Sequence, residues 1–168
     1  LGGGTPSILE PGDVGRILDA AHRYFPIQSD AEITIEANPG TITAERLAGY
    51  LAAGVNRINI GVQSFNDDNL RFLERIHAAG DSANALQVAS SVGFERIGLD
   101  LIYGLPHQNK GSWRKDLAAA AAFSPSHIAC YMLTYEHGTP MKAALDAGDF
   151  APLPEERASA MFVQASKF

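Results

Sequence analysis

Four stretches of the chain are short, rich in aliphatic or β-branched residues, and closed by turn-forming residues. Glu32 to Ala37, Arg57 to Gln63, Arg96 to Tyr103 and His127 to Tyr135 each read as a buried parallel strand. Between them the apolar positions recur with helical spacing. Pro11 to Tyr24 places Val14, Ile17, Leu18 and Ala21 on one face, and Thr43 to Ala53 does the same with Leu47, Tyr50 and Leu51. The helix starts are marked. In SFNDDNL, Asn66 is suited to the N-cap, Asp67 and Asp68 to the positive end of the helix dipole, and Phe65 to a staple onto Leu70. Asp81 is expected to cap a helix that runs to Val92 and ends at Gly93. Ser112 is expected to cap the next, which turns Trp113, Leu117 and Ala120 inward, and Pro154, Glu155 and Glu156 open a last helix.

Regular alternation of strand and helix predicts repeated right-handed βαβ units, hence a TIM-like barrel or a doubly wound sheet. The polar residues at the strand ends favour the barrel, because parallel strands of a barrel share one functional face. Strand one ends in Glu36 and Asn38, strand two in Gln63, strand three in Asp100 and Tyr103, and strand four in Tyr131 and Thr134. The expected fold is therefore α/β, an incomplete TIM-like barrel forming one domain over 1–168. Asp100, within the apolar IGLDLIYGLP, is costly to bury unless it is bonded. Either it caps a loop amide or it belongs to a site. With Glu36 it could form an acid and base pair, as in a barrel glycosidase or isomerase. Arg75 reads as a helical residue, either a solvated charge or a bidentate grip on a carboxylate.

The opening LGGGTPSILE raises a separate question. Its glycines are not a Walker A loop, since no Gly-Lys-Ser/Thr follows, and Gly-x-Gly-x-x-Gly is not completed. A structural tight turn is one use of such a run. A nest of backbone groups around a small polar ligand is the other, and three glycines before Thr5 and Pro6 favour it.

Composition narrows the partners. The 168 residues are 46% hydrophobic and 19% charged with a net charge of −6, an ordinary globular balance with no basic stripe for nucleic acid. One cysteine, Cys130, excludes an internal disulfide framework and a cysteine-built zinc site. The histidines are not spaced as paired ligands, and GVQSF is not a serine-hydrolase elbow. The single cysteine suits a reducing, cytoplasmic setting, and neither a signal peptide nor a membrane-spanning run is visible. Leu1 and Phe168 both look like cut ends.

Taken together, GGGTPS, ITIEANPGT, GVQSFND, RIH, GFERIGLDLIYGLP and SPSHIACYMLTYEHGTP resemble, in order and spacing, the radical S-adenosylmethionine (SAM) proteins related to oxygen-independent coproporphyrinogen III oxidase. The resemblance covers nearly the whole chain. It implies a partial (β/α)6 barrel that holds SAM and a [4Fe-4S] cluster at its strand ends. Gly3, Gly4 and Thr5 match the glycine motif for the methionine portion of the cofactor. Glu36, Gln63, Arg75, Asp100 and Thr134 match further cofactor contacts, with Arg75 suited to the methionine carboxylate. The cluster's Cys-x3-Cys-x2-Cys loop is absent, which implies that the first strand and cluster loop lie before Leu1 and that a C-terminal domain lies beyond Phe168. The family has an oxidase branch, which decarboxylates coproporphyrinogen III, and a heme-chaperone branch, which delivers heme to respiratory proteins. The spellings EANPG, GGGTPS, GVQSF and RIH resemble the chaperone branch.

Overall fold

The computed structural model describes residues 1–168. Four strands, β1 (Thr34–Ala37), β2 (Arg57–Gln63), β3 (Ile97–Tyr103) and β4 (His127–Met132), form one parallel sheet in the order β1-β2-β3-β4. The helices are α1 (Pro11–Tyr24), α2 (Ala44–Ala52), α3 (Asp67–Phe72), α4 (Ala79–Val92), α5 (Lys110–Ala121), α6 (Pro140–Ala147) and α7 (Glu155–Ala165). Sequential order means that each crossover advances one strand in the same sense. With right-handed connections this keeps the crossover helices on one face, as in a barrel wall, whereas a doubly wound sheet reverses direction at a switch point. The sheet is thus an arc of a barrel.

The helix side of the arc is the core. Ile35, Ile58, Ile60, Val62, Leu99 and Leu101 are sealed there, in one cluster with Leu47, Tyr50, Leu86, Ala89, Trp113 and Leu117. Trp113 is fully buried; its Nε1 donates to the Met161 carbonyl at 3.0 Å and so ties α5 to α7. At the open edge of β1, the Leu1 nitrogen donates to the Thr34 carbonyl (2.6 Å) and the Glu36 amide donates to the Leu1 carbonyl (3.0 Å). Those two bonds bracket Ile35 in the manner of a parallel ladder, so the residue before the glycine run lies as a strand would.

Several expectations are corrected. The first strand begins at Thr34, with the Ile33 amide donating to Asn56 Oδ1 (2.8 Å) instead of to a strand carbonyl, and the last ends at Met132, leaving Thr134 and Tyr135 outside the sheet. Ile17 is 43% exposed, so the buried stripe of α1 is only Val14 and Leu18. Asp81 is not the N-cap of α4; it sits at the third helical position and accepts from the Ala78 amide (2.8 Å). Ser112 likewise is not the cap of α5. Asn109 is, accepting from the Gly111 and Ser112 amides, while Ser112 Oγ accepts from the Asn109 amide (3.0 Å) to close a capping box. Phe65 stacks on Phe123, ring centroids 6.0 Å apart. Helix α6 was not expected; Thr139 caps its start and Gly148 its end.

Truncating the α5–α7 tie tests this packing. Trp113→Ala is expected to lower unfolding free energy by about 3–5 kcal/mol, read from urea midpoints.

Candidate functional site

The opposite face of the arc is polar. Gly4, Thr5, Glu36, Gln63, Arg75 and Asp100, together with Asn38, Asn59 and Gly61, line a cavity of about 150 Å³ at the C-terminal ends of β1 to β3. Six of the eight residues expected from sequence therefore meet. Gly3 lies one residue from the wall, and Gly3 (φ +85°) and Gly4 (φ +63°) are both left-handed, a conformation costly for any residue with a β-carbon. The turn they make is clamped from behind. Arg46 Nη1 donates to the Ser7 carbonyl (3.0 Å), the Tyr50 hydroxyl to the Leu9 carbonyl (2.7 Å), and the Asn38 amide to Ser7 Oγ (3.1 Å).

Asp100 is the most constrained group in the cavity. Asn59 Nδ2 donates to its Oδ2 at 2.8 Å, while Oδ1 is buried with no partner. The expected loop-amide cap is therefore replaced by a side-chain amide from the neighbouring strand. Asn59 fits because position 98 is glycine: a β-carbon there would lie 2.5 Å from Asn59 Oδ1. Burial pushes the Asp100 carboxyl above the usual aspartate range; the Asn59 hydrogen bond opposes this, Glu36 reinforces it, and His127 and Arg57 oppose it more weakly.

Gln63 ends β2 in the left-handed region (φ 67°) and the loop behind it is anchored by Asp116 of α5. The buried Asp116 carboxylate accepts from Ser64 Oγ (2.8 Å) and the Phe65 amide (2.9 Å), and Ser64 Oγ accepts from the Asn66 amide and Asn69 Nδ2. Burial raises the Asp116 carboxyl as well, against those two bonds. Helix α3 then stops with Glu74 left-handed (φ 52°), the Arg75 amide donating to the Leu70 carbonyl and the Glu74 amide to that of Arg71. This is a Schellman ending with glutamate where glycine is usual. It puts Arg75 in the loop after α3, correcting its expected place on a helix. His77 fastens that loop to β2 through Nε2, 3.2 Å from the Val62 carbonyl.

Two strand-end residues fall elsewhere. Thr134 lines an adjoining, more apolar cavity of about 370 Å³ with Ile102, Tyr131 and Met132, and the two cavities share only Arg75. Tyr103 faces the helices, buried with its ring centroid 5.5 Å from that of Trp113, and so leaves the site for the core. Cys130 is a half-buried strand residue whose thiol is pushed up by burial. Asn59 and Asp116 were missed. The period-two series Arg57, Asn59, Gly61, Gln63 marks Asn59, and Asp116 stands beside Leu117 in the helix whose Trp113, Leu117 and Ala120 are buried.

A parallel barrel arc with a left-handed glycine turn, two carboxylates, three side-chain amides and an arginine around one small cavity presents donors and acceptors of the kind that a small polar ligand carrying both charges requires. The Radical SAM superfamily matches residues 1–120, and the chain belongs to it. It is similar to the heme chaperone HemW of Escherichia coli (strain K12), 45% identical over 139 residues, which are 83% of this chain and 37% of that protein. It is also similar to the mitochondrial radical S-adenosyl methionine domain-containing protein 1 of Bos taurus, 38% identical over 156 residues, 92% of this chain and 35% of that one. The solved coproporphyrinogen III oxidase HemN of Escherichia coli, described as a radical SAM enzyme, superposes with a TM-score of 0.81 at 28% identity, covering 98% of this chain and 38% of its own. The chain thus spans little more than a third of these relatives.

The pH dependence of stability follows from Asp100. Its folded pKa is raised, so on raising the pH the unfolded chain loses this proton first, and the stability present below the ordinary aspartate range is lost as pH climbs through the raised value. Asp100→Asn is expected to remove that component. In urea melts at stepped pH, the stability of wild type minus variant should fall as pH rises.

Proposed function

We propose that this chain is the SAM-binding portion of a longer radical SAM protein of heme metabolism, of the heme-chaperone kind. The observation that carries the cofactor reading is the convergence of Arg75, Glu36 and Asp100 on one cavity rimmed by the glycine turn. The donor set fits an amino-acid end and a sugar. Arg75 offers a fork for a carboxylate, Glu36 and the free Asp100 Oδ1 accept from an ammonium or hydroxyl, and Gln63 and the Gly3–Thr5 backbone complete the polar wall. Thr134, across Arg75, reaches the same ligand only from the apolar cavity and is assigned there. When bound, the cofactor supplies radical chemistry; this chain's part is to bind it, orient it and keep water from its charged end.

A [4Fe-4S] cluster does not fit residues 1–168. It needs several thiolates, and the lone Cys130 is a protonated strand residue. The cluster loop, the strand carrying it and the C-terminal domain are assigned to segments outside these residues, in a cytoplasmic protein; no helix here is long and apolar enough to cross a membrane. The similarity to HemW supports heme as cargo; respiratory proteins as acceptors are the further expectation that the motif resemblance brings. The fold likeness to HemN supports the oxidase only as a related reading, and we read Glu36 and Asp100 as cofactor contacts, not as an acid and base pair, in keeping with membership of the Radical SAM superfamily.

The cofactor assignment is tested by titrating SAM into the full-length protein in a calorimeter. Arg75→Ala is expected to weaken binding by about 1.5–3 kcal/mol, the loss of a charge-assisted pair, and unchanged affinity would remove Arg75 from the site. The branch is tested with the same protein after cluster reconstitution. Retention of heme without carbon dioxide release from coproporphyrinogen III is expected; release would place it with the oxidase.

A further inference from the structure

Asp100 projects from a strand, and its charged neighbours make no hydrogen bond to it. Glu36, on β1, is a like charge, and Arg57, on β2, pairs with Glu32 (3.2 Å). His127, on β4, is exposed, and Arg75 approaches from the loop after α3. The only hydrogen bond to the carboxylate is from Asn59 Nδ2, at 2.8 Å to Oδ2. Asn59 in turn occupies the space left by the missing β-carbon of Gly98, 2.5 Å from where that carbon would stand. An amide donor wedged into a glycine notch fixes which carboxylate oxygen is spoken for. The other, buried and partnerless, is left for a donor from the ligand.

We infer that Asn59 is a positioning residue for this cavity: seated in the Gly98 notch, it engages Oδ2 of Asp100 and so presents Oδ1 to an N–H or O–H donor of the ligand. The ligand's identity as SAM rests on the function proposed above, whereas the Asn59–Asp100 relation does not. A carboxylate that must accept from the ligand has to be unprotonated, and burial works against that. Removing the amide therefore costs affinity through the charge state of Asp100, an effect that higher pH reverses. A merely structural asparagine would give a loss that pH does not recover.

The experiment follows the Asp100 carboxyl carbon by NMR across pH in the full-length protein and, in parallel, measures SAM affinity by calorimetry between pH 6 and 8, on the order of one unit either side of neutrality. Two variants are compared with wild type. Asn59→Leu removes the donor at similar volume, and Gly98→Ala keeps Asn59 but fills its notch, so a folding failure of one leaves the other. Both are expected to move the Asp100 titration to higher pH and to weaken SAM about tenfold at the acid end, with the deficit shrinking as pH rises. An Asp100 titration that does not move in a folded variant overturns the inference, as does a pH-independent deficit. If wild type binds no SAM yet the titration shifts in both variants, the Asn59–Asp100 relation stands and the cofactor proposal is what fails.

Discussion

Alternation along β2 and β3 is the constraint from which both the core and the site follow. Ile58, Ile60 and Val62 on one strand and Leu99 and Leu101 on the next are fully buried against the helices. The residues between them, Asn59, Gly61, Gln63 and Asp100, line the cavity. In a parallel ladder directly paired residues share a face, so Ile58 beside Ile97 and Ile60 beside Leu99 fix Asn59 and Gly98 on the polar face, while an irregularity between Ile60 and Gln63 shifts the pairing so that Gln63 stands beside Leu101. A slip of one residue would exchange the two sets and bury Asn59 among the helices. Each strand end therefore serves two environments at once. The apolar half supplies stability, and the polar half is carried to the cavity by the same register.

That constraint also explains what could be read from the sequence. The strands, the inward faces of α2 and α5, and the shared face of Glu36, Gln63 and Asp100 all follow from periods of two and 3.6 residues, although Asp100 stands in the middle of β3 and not at its end. Tyr103 followed the strand-end rule and broke it, because its position in β3 has the parity of Leu99 and Leu101 and its ring goes to Trp113. Capping residues were named one turn late at Asp81 and Ser112. At the third helical position their side chains accept from the cap residue's own amide, and sequence shows the acceptor but not which amide it meets. Asn59 was legible in principle by parity with Gln63. Its glycine notch was not, since Gly98 and Asn59 meet only when two distant segments pair.

Arg75 illustrates a different limit. Its place depends on two residues held in the left-handed region without being glycine, Gln63 at the end of β2 and Glu74 at the end of α3. Side chains that carry a β-carbon pay about 1–3 kcal/mol each for such conformations, and no propensity scale would put them there. The surrounding bonds hold them. Asp116, sealed in α5, takes hydrogen bonds from Ser64 and Phe65 just beyond Gln63, and His77 reaches back to the Val62 carbonyl just before it. One anchor grips the residue of β2 just before Gln63, the other the two residues that follow it. The segment from Gln63 to His77 is thereby tied at both ends to one strand terminus, with the strained residues inside the tie.

The consequence is that the one cation lining the cavity is set by the core, not by its charged neighbours. Arg75 has no carboxylate partner within salt-bridge distance, unlike Arg57, which is paired with Glu32. A guanidinium left unpaired beside two carboxylates keeps its fork available to a ligand anion. Had it closed onto Glu36 or Asp100, the cavity would satisfy itself, and a zwitterionic ligand would have to break an ion pair to enter. The left-handed turn at Glu74 and the tether at His77 give the backbone direction that avoids this. The unpaired Arg75 and the unpartnered Oδ1 of Asp100 are thus two parts of one arrangement, in which opposite charges line the same cavity without closing on each other.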